Sequence, residues 1–316
     1  MTNNKFSSDF IIENSKITEL SAQKKSFSGT GGIQIPFSLG VGTSHRARGI
    51  PYFCTTSNPS SIFTTSKIKS PPVPILYYTF EALNGSNLEN QATDGATINS
   101  TLADNAELVT TISEPEPDEA PIRGSKCIKF DGANDYLNMN NAASTVQNME
   151  TGSITFWVYQ TSDGERMYFN AADEGDSGNS KIEFYSDTSQ DSIFYRVEED
   201  SVGTILSMSF FDSGGMDGDE WNHLAVTVGT SGTKLYLNGV QVATSATQAF
   251  FSDVADLDQI RLGVNEGLND DYAGYIDEFA IWNVELEPSE VVAIASSSPP
   301  DLNAIGPSLP NSYFYD

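Results

Sequence analysis

The sequence contains few cysteines, few histidines and few basic residues. Its 316 residues include two cysteines and two histidines, so a framework of several disulfides is excluded. Lys and Arg number 16 against 43 Asp and Glu, and the formal net charge of −27 argues against nucleic acid as a partner. No segment approaches the ~18 consecutive apolar residues of a membrane span. The first residues lack the apolar core of a signal peptide, and we therefore expect neither a membrane partner nor a secretion signal.

The charged residues are unevenly distributed along the chain. The first 70 residues hold eight Lys or Arg and three Asp or Glu, whereas the remaining residues hold eight and forty. Such asymmetry indicates that two parts of the chain face different surroundings. Because the Pro-rich segment 71–74 separates them, we predict a basic N-terminal arm at 1–74 and a folded body at 75–298. A tail rich in Pro and aromatic residues follows at 299–316.

The predicted arm is rich in Gly, Ser, Thr and Pro and has too few apolar residues to fold by itself. Some of its apolar residues alternate with polar or small ones, which suits a strand added to the sheet edge of a neighbouring subunit. We therefore predict that it binds partner proteins, including other copies of the chain, through Ile33, Ile35, Phe37, Leu39, Arg46 and Arg48. The alternative is a simple linker.

The clearest signal of secondary structure lies between residues 222 and 244. Leu224, Val226 and Val228 alternate with polar or small residues, as expected for a strand with one buried face. Two further strands, at 233–237 and 240–244, are separated by Asn238-Gly239, a pair that readily adopts positive φ in a tight turn. This segment therefore predicts three antiparallel strands.

Short strands separated by turn residues recur along the predicted body. Alternation predicts them at 75–81, 126–130, 136–139, 153–159, 167–170, 181–185, 192–198, 204–210, 256–263 and 272–282. A spacing of about ten residues is typical of a sandwich or jelly roll. One helix is predicted at 287–295, where acids stand in the first turn. The predicted fold is all-β, a two-sheet antiparallel jelly-roll sandwich with an extended N-terminal arm and an extended C-terminal tail.

Four motifs in the body resemble those of the laminin-G-like, concanavalin-A-like jelly-roll family. In one of them, Trp221-Asn222-His223 stands before the Leu-Tyr-Leu-Asn-Gly hairpin. The other three stand in the order typical of the family, at 130–137 (FDGANDYL), 152–158 (GSITFWV) and 274–282 (GYIDEFAIW). The resemblance implies the jelly-roll fold. It does not fix the function, because the fold hosts lectins, hydrolases and structural modules.

The family's glycosidases carry paired acids at alternate positions of one strand, so that both carboxylates face one cleft. The corresponding acids in this sequence, Asp277 and Glu278, are adjacent, and we expect them on opposite faces of their strand. The sequence also lacks a Gly-x-Ser-x-Gly nucleophile elbow. We therefore predict that the protein is not an enzyme.

Two kinds of binding site are candidates. The resemblance implies a structural calcium ion between Glu81 in the first strand and Asp277 in the last motif, whereas acids bonded to local amides are the alternative. A glycan site would need exposed aromatic side chains, and Trp157, Tyr159 and Tyr185 are the candidates. Their alternation fits positions in the core equally well.

Two functions are compatible with these features. The first is a non-enzymatic structural role in a bacteriophage virion, as a capsid decoration protein or a fibre or spike subunit that the arm anchors to other virion proteins. It reconciles a jelly roll with the missing export signal, because virion proteins are made in the host cytoplasm and released by lysis. The alternative is a carbohydrate-binding lectin or adhesin whose sandwich binds host-surface glycans.

Overall fold

A computed structural model describes residues 72–93, 98–112, 120–161, 166–176, 179–187, 192–211, 220–296 and 302–304. The predicted arm lies outside these residues, as do the partner-binding candidates Ile33, Ile35, Phe37, Leu39, Arg46 and Arg48. The described residues belong to one compact unit, which spans Lys67–Asp316.

The described residues form sixteen strands. Strands β1 to β8 are Leu76–Tyr78, Asn87–Glu89, Asn99–Ala103, Glu107–Val109, Cys127–Asp131, Tyr136–Asn138, Gly152–Gln160 and Arg166–Ala172. Strands β9 to β16 are Lys181–Ser186, Ser192–Glu199, Gly203–Phe211, Asn222–Gly229, Gly232–Leu237, Val240–Ser245, Gln259–Leu262 and Ala273–Trp282. Two short helices, α1 at Ala143–Val146 and α2 at Pro288–Ile294, accompany 3₁₀ turns at Asn140–Ala142, Glu174–Asp176, Phe251–Asp253 and Leu302–Ala304. Neither helix has the length or apolar character of a membrane span.

The all-β prediction is confirmed, and every strand predicted from alternation is present with its ends shifted by a few residues. The predicted hairpin turn is confirmed as well, because Asn238 and Gly239 both have positive φ, at 50° and 79°. The sequence analysis missed β2, β3, β4 and α1. The missed elements have three to five residues each, too few for a hydrophobic period to emerge.

The strands form two antiparallel sheets of eight strands. Sheet I has the order β14-β13-β12-β7-β16-β5-β4, with β1 paired to the second half of β16. Sheet II has the order β11-β10-β9-β8-β15-β6-β3-β2. The core lies between them, where the inward side chains of both sheets interdigitate; Phe156 of sheet I and Phe184 of sheet II meet edge to face at 5.1 Å.

Helix α2 covers part of the outer face of sheet I. Trp282 and Tyr236 of the sheet pack with Val291 and Ile294 of the helix in a second apolar cluster. The helix begins with Pro288 in its first turn, and the backbone N–H of the preceding Glu287 donates to the Glu290 carboxylate at 2.7 Å, which completes a capping box.

Part of the predicted C-terminal tail docks on the same region. Leu302 is fully buried in the α2 cluster, and the Asn303 side chain donates to the Gln91 carbonyl at 2.9 Å and accepts from the Thr93 N–H at 2.9 Å. Residues 302–304 form a 3₁₀ turn rather than the extended segment predicted from the sequence.

Candidate functional site

A row of polar side chains crosses the outer face of sheet II. Residues paired directly across neighbouring strands lie on the same face of a sheet. From one edge to the other, the paired residues are Ser207, Arg196, Glu183, Asn170, Arg261, Asn138, Thr101 and Asn87. Their neighbours along the strands, such as Ile182 and Ile260, belong to the core, so the side-chain period of two directs this set outwards. We call this set the polar row.

The polar row is buried at its centre and open at its ends. Glu183, Asn170 and Arg261 are 3%, 0% and 7% exposed, whereas Ser207 and Thr101 are exposed. Such a profile shows that neighbouring residues cover the centre of the row and leave its ends open. Burying a polar group costs free energy unless the group is hydrogen-bonded. The partners of these side chains therefore decide what this face can bind.

Two cations engage Glu183 at the centre of the row. Arg196 Nε donates to Glu183 Oε2 at 2.7 Å, and Lys181 Nζ lies 2.9 Å from Glu183 Oε1. Burial on its own would lower the pKa of the Lys181 ammonium, but the carboxylates of Glu183 and Glu266 outweigh burial and raise that pKa. The carboxylate of Glu183 is therefore held in ion pairs.

The loop between β15 and β16 is tied to the row through Glu266. Its carboxylate accepts hydrogen bonds from Lys181 Nζ at 3.3 Å and from Asn170 Nδ2 at 3.2 Å. Arg261 Nη1 donates to the Glu266 carbonyl at 3.0 Å and to the Asn265 carbonyl at 3.4 Å. The Arg261 guanidinium also lies over the Tyr136 ring, 5.0 Å from its centroid. This loop thus lies against the centre of the polar row.

Four buried polar atoms on this face have no hydrogen-bond partner among the described residues. They are both amide atoms of Gln259, Asn170 Oδ1 and Arg261 Nε. Gln259 is 0% exposed and precedes Arg261 by two residues on β15, so both side chains point to the same face. Buried polar groups of this kind are commonly satisfied by ordered water in native proteins.

A pair of stacked aromatic side chains adjoins the polar row. Tyr185 and Phe194 are direct cross-strand partners, and their rings stack with centroids 4.9 Å apart and an interplanar angle of 8°. The guanidinium of Arg196 lies over the Tyr185 ring, 5.6 Å from its centroid. Both aromatic side chains are partly exposed. The face therefore places a partly exposed aromatic pair, Tyr185 and Phe194, beside the polar row.

Of the predicted glycan-binding residues, only Tyr185 lies on this face. Trp157 and Tyr159 belong to β7 of sheet I and are 4% and 0% exposed on its outer face. Trp157 packs edge to face against His223 at 5.2 Å, and Tyr159 against Trp221 at 5.7 Å. The structure thus corrects the grouping of the three aromatics, because they belong to two different sheets.

The buried His223 is a packing residue. It is 0% exposed, and neither ring nitrogen has a hydrogen-bond partner among the described residues. Burial lowers the pKa of the imidazole to about 3. The ring is therefore neutral at physiological pH.

The predicted metal ligands Glu81 and Asp277 hold backbone instead. Glu81 accepts hydrogen bonds from the N–H groups of Ser125 at 2.8 Å and Lys126 at 3.2 Å, and from the Ser125 hydroxyl at 2.7 Å. Gly124 has φ of 70°, and a Cβ added there would lie 1.9 Å from Glu81 Oε1, so only glycine permits this contact.

The oxygens of Asp277 are engaged in the same way, because they accept from the N–H groups of Arg123 at 3.2 Å and Glu278 at 2.9 Å. No group of three or more His, Cys, Asp or Glu side chains in the described part of the chain is arranged to hold a metal. This geometry favours a structural clamp over a site for calcium, which takes six to eight oxygen ligands, and the calcium prediction stays a prediction.

The expectation that Asp277 and Glu278 lie on opposite faces is wrong. The register of β16 against β7 shifts between Asp277 and Ala280, and Glu278 has φ of 51°. This bulge inserts one extra residue and resets the alternation, so both acids leave the strand on the side of Arg123. Arg123 Nη1 lies 3.4 Å from Glu278 Oε2 and donates to the Tyr77 hydroxyl at 2.6 Å, and that hydroxyl in turn donates to Glu278.

These acids border a cavity of about 350 Å³, lined by Tyr77, Thr79, Glu81, Gln91, Arg123, Gly124, Glu278 and Asn303. Burial and the adjacent charge of Glu278 raise the pKa of Asp277 well above its usual value. Asp277 itself is 0% exposed, so it cannot reach a substrate in this cavity. The two carboxyl groups that do line the cavity are already engaged, Glu81 by the N–H groups of Ser125 and Lys126 and Glu278 by Arg123 and Tyr77.

The polar row was not predicted from the sequence, although a signal for it exists. Lys181, Glu183 and Tyr185 alternate with apolar residues, as do Phe194, Arg196 and Glu198 on the next strand. Alternation identifies these side chains as outward. It cannot show that Asn170, Gln259 and Arg261 join them, because that depends on which strands pair and in which register.

Solved structures with a similar fold come from proteins of low sequence identity. The binding domain of botulinum neurotoxin serotype D has a TM-score of 0.50 and 19% identity over 71% of this chain and 51% of that chain. The CBM40 domain of the Ruminococcus gnavus IT-sialidase, solved with α2,3-sialyllactose, has a TM-score of 0.48 and 19% identity over 56% of this chain and all of its own. The similarity to the botulinum neurotoxin domain shows the fold alone.

Curated relatives match a short stretch, and a family model matches the body. Pappalysin-1 of mouse and of human is 37% and 36% identical over 76 residues, which is 23% of this chain and 5% of theirs. This chain therefore spans about 5% of the length of those relatives. The Laminin_G_3 model, described as the concanavalin A-like lectin/glucanases superfamily, matches residues 131–292, more than half of the chain. The chain belongs to the concanavalin A-like lectin/glucanases superfamily.

Proposed function

We propose that the protein is a non-enzymatic carbohydrate-binding protein that holds a glycan against the outer face of sheet II. The observation that carries this proposal is the pairing on one open sheet face of two partly exposed aromatic side chains, Tyr185 and Phe194, with the row of hydrogen-bonding side chains beside them. The superfamily to which the chain belongs includes lectins and glucanases, which supports a carbohydrate ligand.

The two parts of this face match the two parts of a sugar ring. A pyranose has an apolar face of C–H groups and a rim of hydroxyls. The stacked rings of Tyr185 and Phe194 offer partly exposed apolar surface, and the polar row beside them offers donors and acceptors. A glycan that lies across this face would contact both the aromatic pair and the polar row.

The carboxylates of this face suit binding better than hydrolysis. A glycosidase needs one protonated carboxyl group and one ionised carboxylate on either side of the scissile bond. Glu183 is instead engaged by Arg196 and Lys181, and Glu266 by Lys181 and Asn170. These five side chains already bond one another, so neither carboxylate is free to act as the acid or the nucleophile.

A structural role in a virion, the first hypothesis from the sequence, depends on the arm at 1–74 and its contacts with other proteins. The predicted contact residues lie outside the part of the chain that the structure describes. No observation on the described residues favours that role, whereas the polar row favours the lectin alternative.

The proposal is tested with the full chain on a glycan array, followed by titration calorimetry of the glycans that bind. Tyr185→Ala combined with Phe194→Ala removes both aromatic side chains, and the affinity for the glycan should fall at least about tenfold. Gln241→Met, at an exposed position on edge strand β14 of sheet I, is the control and should bind as the native chain does. Undiminished binding by the double variant, or no binding to any glycan by the native chain, would contradict the proposal.

A further inference from the structure

Strand β11 forms an open edge of sheet II. It stands at the end of the strand order, so only one of its two sides pairs with another strand in the described part of the chain. It has nine residues, and its register against β10 is regular from Leu206 to Phe211 after a bulge nearer its start. The backbone N–H and C=O groups on its other side can therefore pair with a further strand.

This edge lacks the features that usually protect an edge strand. Proteins commonly block further pairing with a short strand, a charged side chain or a proline. The sequence of β11, GTILSMSFF, holds neither a charged residue nor a proline, and Phe211 is 62% exposed at its end. Strands β2 and β4, which also end the sheets, have three residues each and carry a glutamate. We therefore expect β11 to accept a strand more readily than they do.

The charges at the two ends of β11 indicate which kind of strand fits it. Glu198, Glu199 and Asp200 precede β11, and four more acids follow it between positions 212 and 220 of the sequence. The uncharged edge strand β14 of sheet I has no acid within five positions of either end. An uncharged edge with acids at both ends favours an uncharged strand with basic residues at both ends.

One segment of the predicted arm has this composition. Residues 33–41, IQIPFSLGV, are nine in number and uncharged, with Lys24 and Lys25 before them and Arg46 and Arg48 after them. The proline at position 36 suits an added strand, because such a strand becomes the new edge, where the missing N–H can face away from the sheet.

We infer that residues 33–41 of one copy of the chain pair as an antiparallel ninth strand with β11 of a second copy. This inference goes beyond the proposed glycan binding and does not depend on it. Antiparallel pairing continues the arrangement of sheet II and brings Arg46 and Arg48 towards the acids that precede β11. Two acidic bodies repel one another, so the basic arm is the part of a second copy that the body attracts.

The test measures self-association of the full chain by sedimentation equilibrium over a range of concentrations. The association should weaken at high salt, because the flanking charges are screened. Ser209→Lys places a charge at an exposed position of β11 and should raise the dissociation constant at least about tenfold. Gln241→Lys, the matched change at an exposed position of edge strand β14, is the control and should leave the dissociation constant unchanged.

The arm provides a second test with changes that lie outside the folded body. Phe37→Lys combined with Leu39→Lys should also raise the dissociation constant at least about tenfold. Phe6→Lys combined with Phe10→Lys, the same change elsewhere in the arm, should not. Hydrogen exchange should show protection of the amides of 33–41 and of β11 at high concentration and its loss on dilution.

Several results would overturn the inference. One is a chain that stays monomeric at every concentration, and another is an association that the arm variant does not weaken. A control variant that weakens it as much would place the contact on another strand or segment. Protection of 33–41 that survives dilution would mean that each arm pairs within its own chain. Circular dichroism of Ser209→Lys checks its fold, and the arm variant decides if that fold is lost.

Discussion

The two outer faces of the sandwich bury polar groups in different surroundings. On sheet I, helix α2 and a set of aromatic side chains cover the face, and Trp282 beneath the helix is fully buried with its Nε1 donating to Thr155 Oγ1 at 3.2 Å. On sheet II, the polar row occupies the corresponding surface, and its centre keeps four atoms without a partner among the described residues. Both faces bury atoms without a partner among the described residues, including the ring nitrogens of His223 on sheet I. The faces therefore differ in what lies on them, which is helix α2 with aromatic side chains on sheet I and ion-paired side chains on sheet II.

The same difference is visible around single carboxylates. Glu278 on the sheet I side is 1% exposed and is held by one guanidinium, that of Arg123. Glu183 on sheet II is 3% exposed and is held by both Arg196 and Lys181. The acids of sheet I fix a bulge and a loop, which are parts of the fold. The ions of sheet II join side chains of β9 and β10 to one another and to the loop that holds Glu266.

The largest expected effect concerns the covered face. Trp282→Ala would empty the space beneath α2 and should lower the free energy of unfolding by about 3 to 5 kcal/mol. Phe194→Ala on the face of sheet II should cost about 1 kcal/mol, because that side chain is partly exposed and leaves no cavity. Urea unfolding followed by circular dichroism measures both. Equal losses would show that the face of sheet II is also part of the core.

The next effect compares the two carboxylates. Arg123→Met leaves Glu278 buried without its cation and should lower the free energy of unfolding by about 3 kcal/mol. Arg196→Met should cost less, because Lys181 still faces Glu183. Lys129→Met is the control, since its partner Glu107 is exposed and such surface pairs contribute about 1 kcal/mol or less. A larger loss for Arg196→Met than for Arg123→Met would reverse the comparison between the faces.

A third prediction uses pH to report on the covered face alone. The folded-state pKa of His223 is about 3, below its unfolded value of about 6.5, so its contribution to stability is complete above pH ~6.5 and is lost as the pH falls towards 3. By pH ~5 the loss should reach about 2 kcal/mol relative to pH ~7. His223→Phe keeps an aromatic ring beside Trp157 and should flatten this part of the stability curve. An unchanged acid slope in that variant would place the titration elsewhere.

The fold of the body could be predicted because most of its strands alternate over four or more residues and its turns carry strong signals. Asn238-Gly239 fixed one hairpin correctly. The bulge at Asp277 could not be predicted, because nothing local in the sequence 275–278 shows that β16 gains a residue relative to β7. That single shift moved Glu278 to the side of Asp277.

The candidate site was predictable only in part. Aromatic residues on strands can face the core or the solvent, and the sequence does not say which sheet a strand joins. Tyr185 was therefore grouped with Trp157 and Tyr159, although it lies on the other sheet. The polar row depends on the order of eight strands that are far apart along the chain, which is a tertiary property.

The smallest expected effect tests whether the polar row costs the protein stability. Gln259→Met removes two buried atoms that lack partners and keeps the volume of the side chain, so the free energy of unfolding should rise by about 1 kcal/mol. The control Gln241→Met on sheet I should change it by less than about 0.5 kcal/mol. Thermal and urea unfolding without glycan measure both. A gain in stability for Gln259→Met would show that this buried amide destabilises the free protein. A loss of about 1 kcal/mol or more would mean that the amide is satisfied in the free protein, for example by an ordered water, and that the two faces do not differ in the way described.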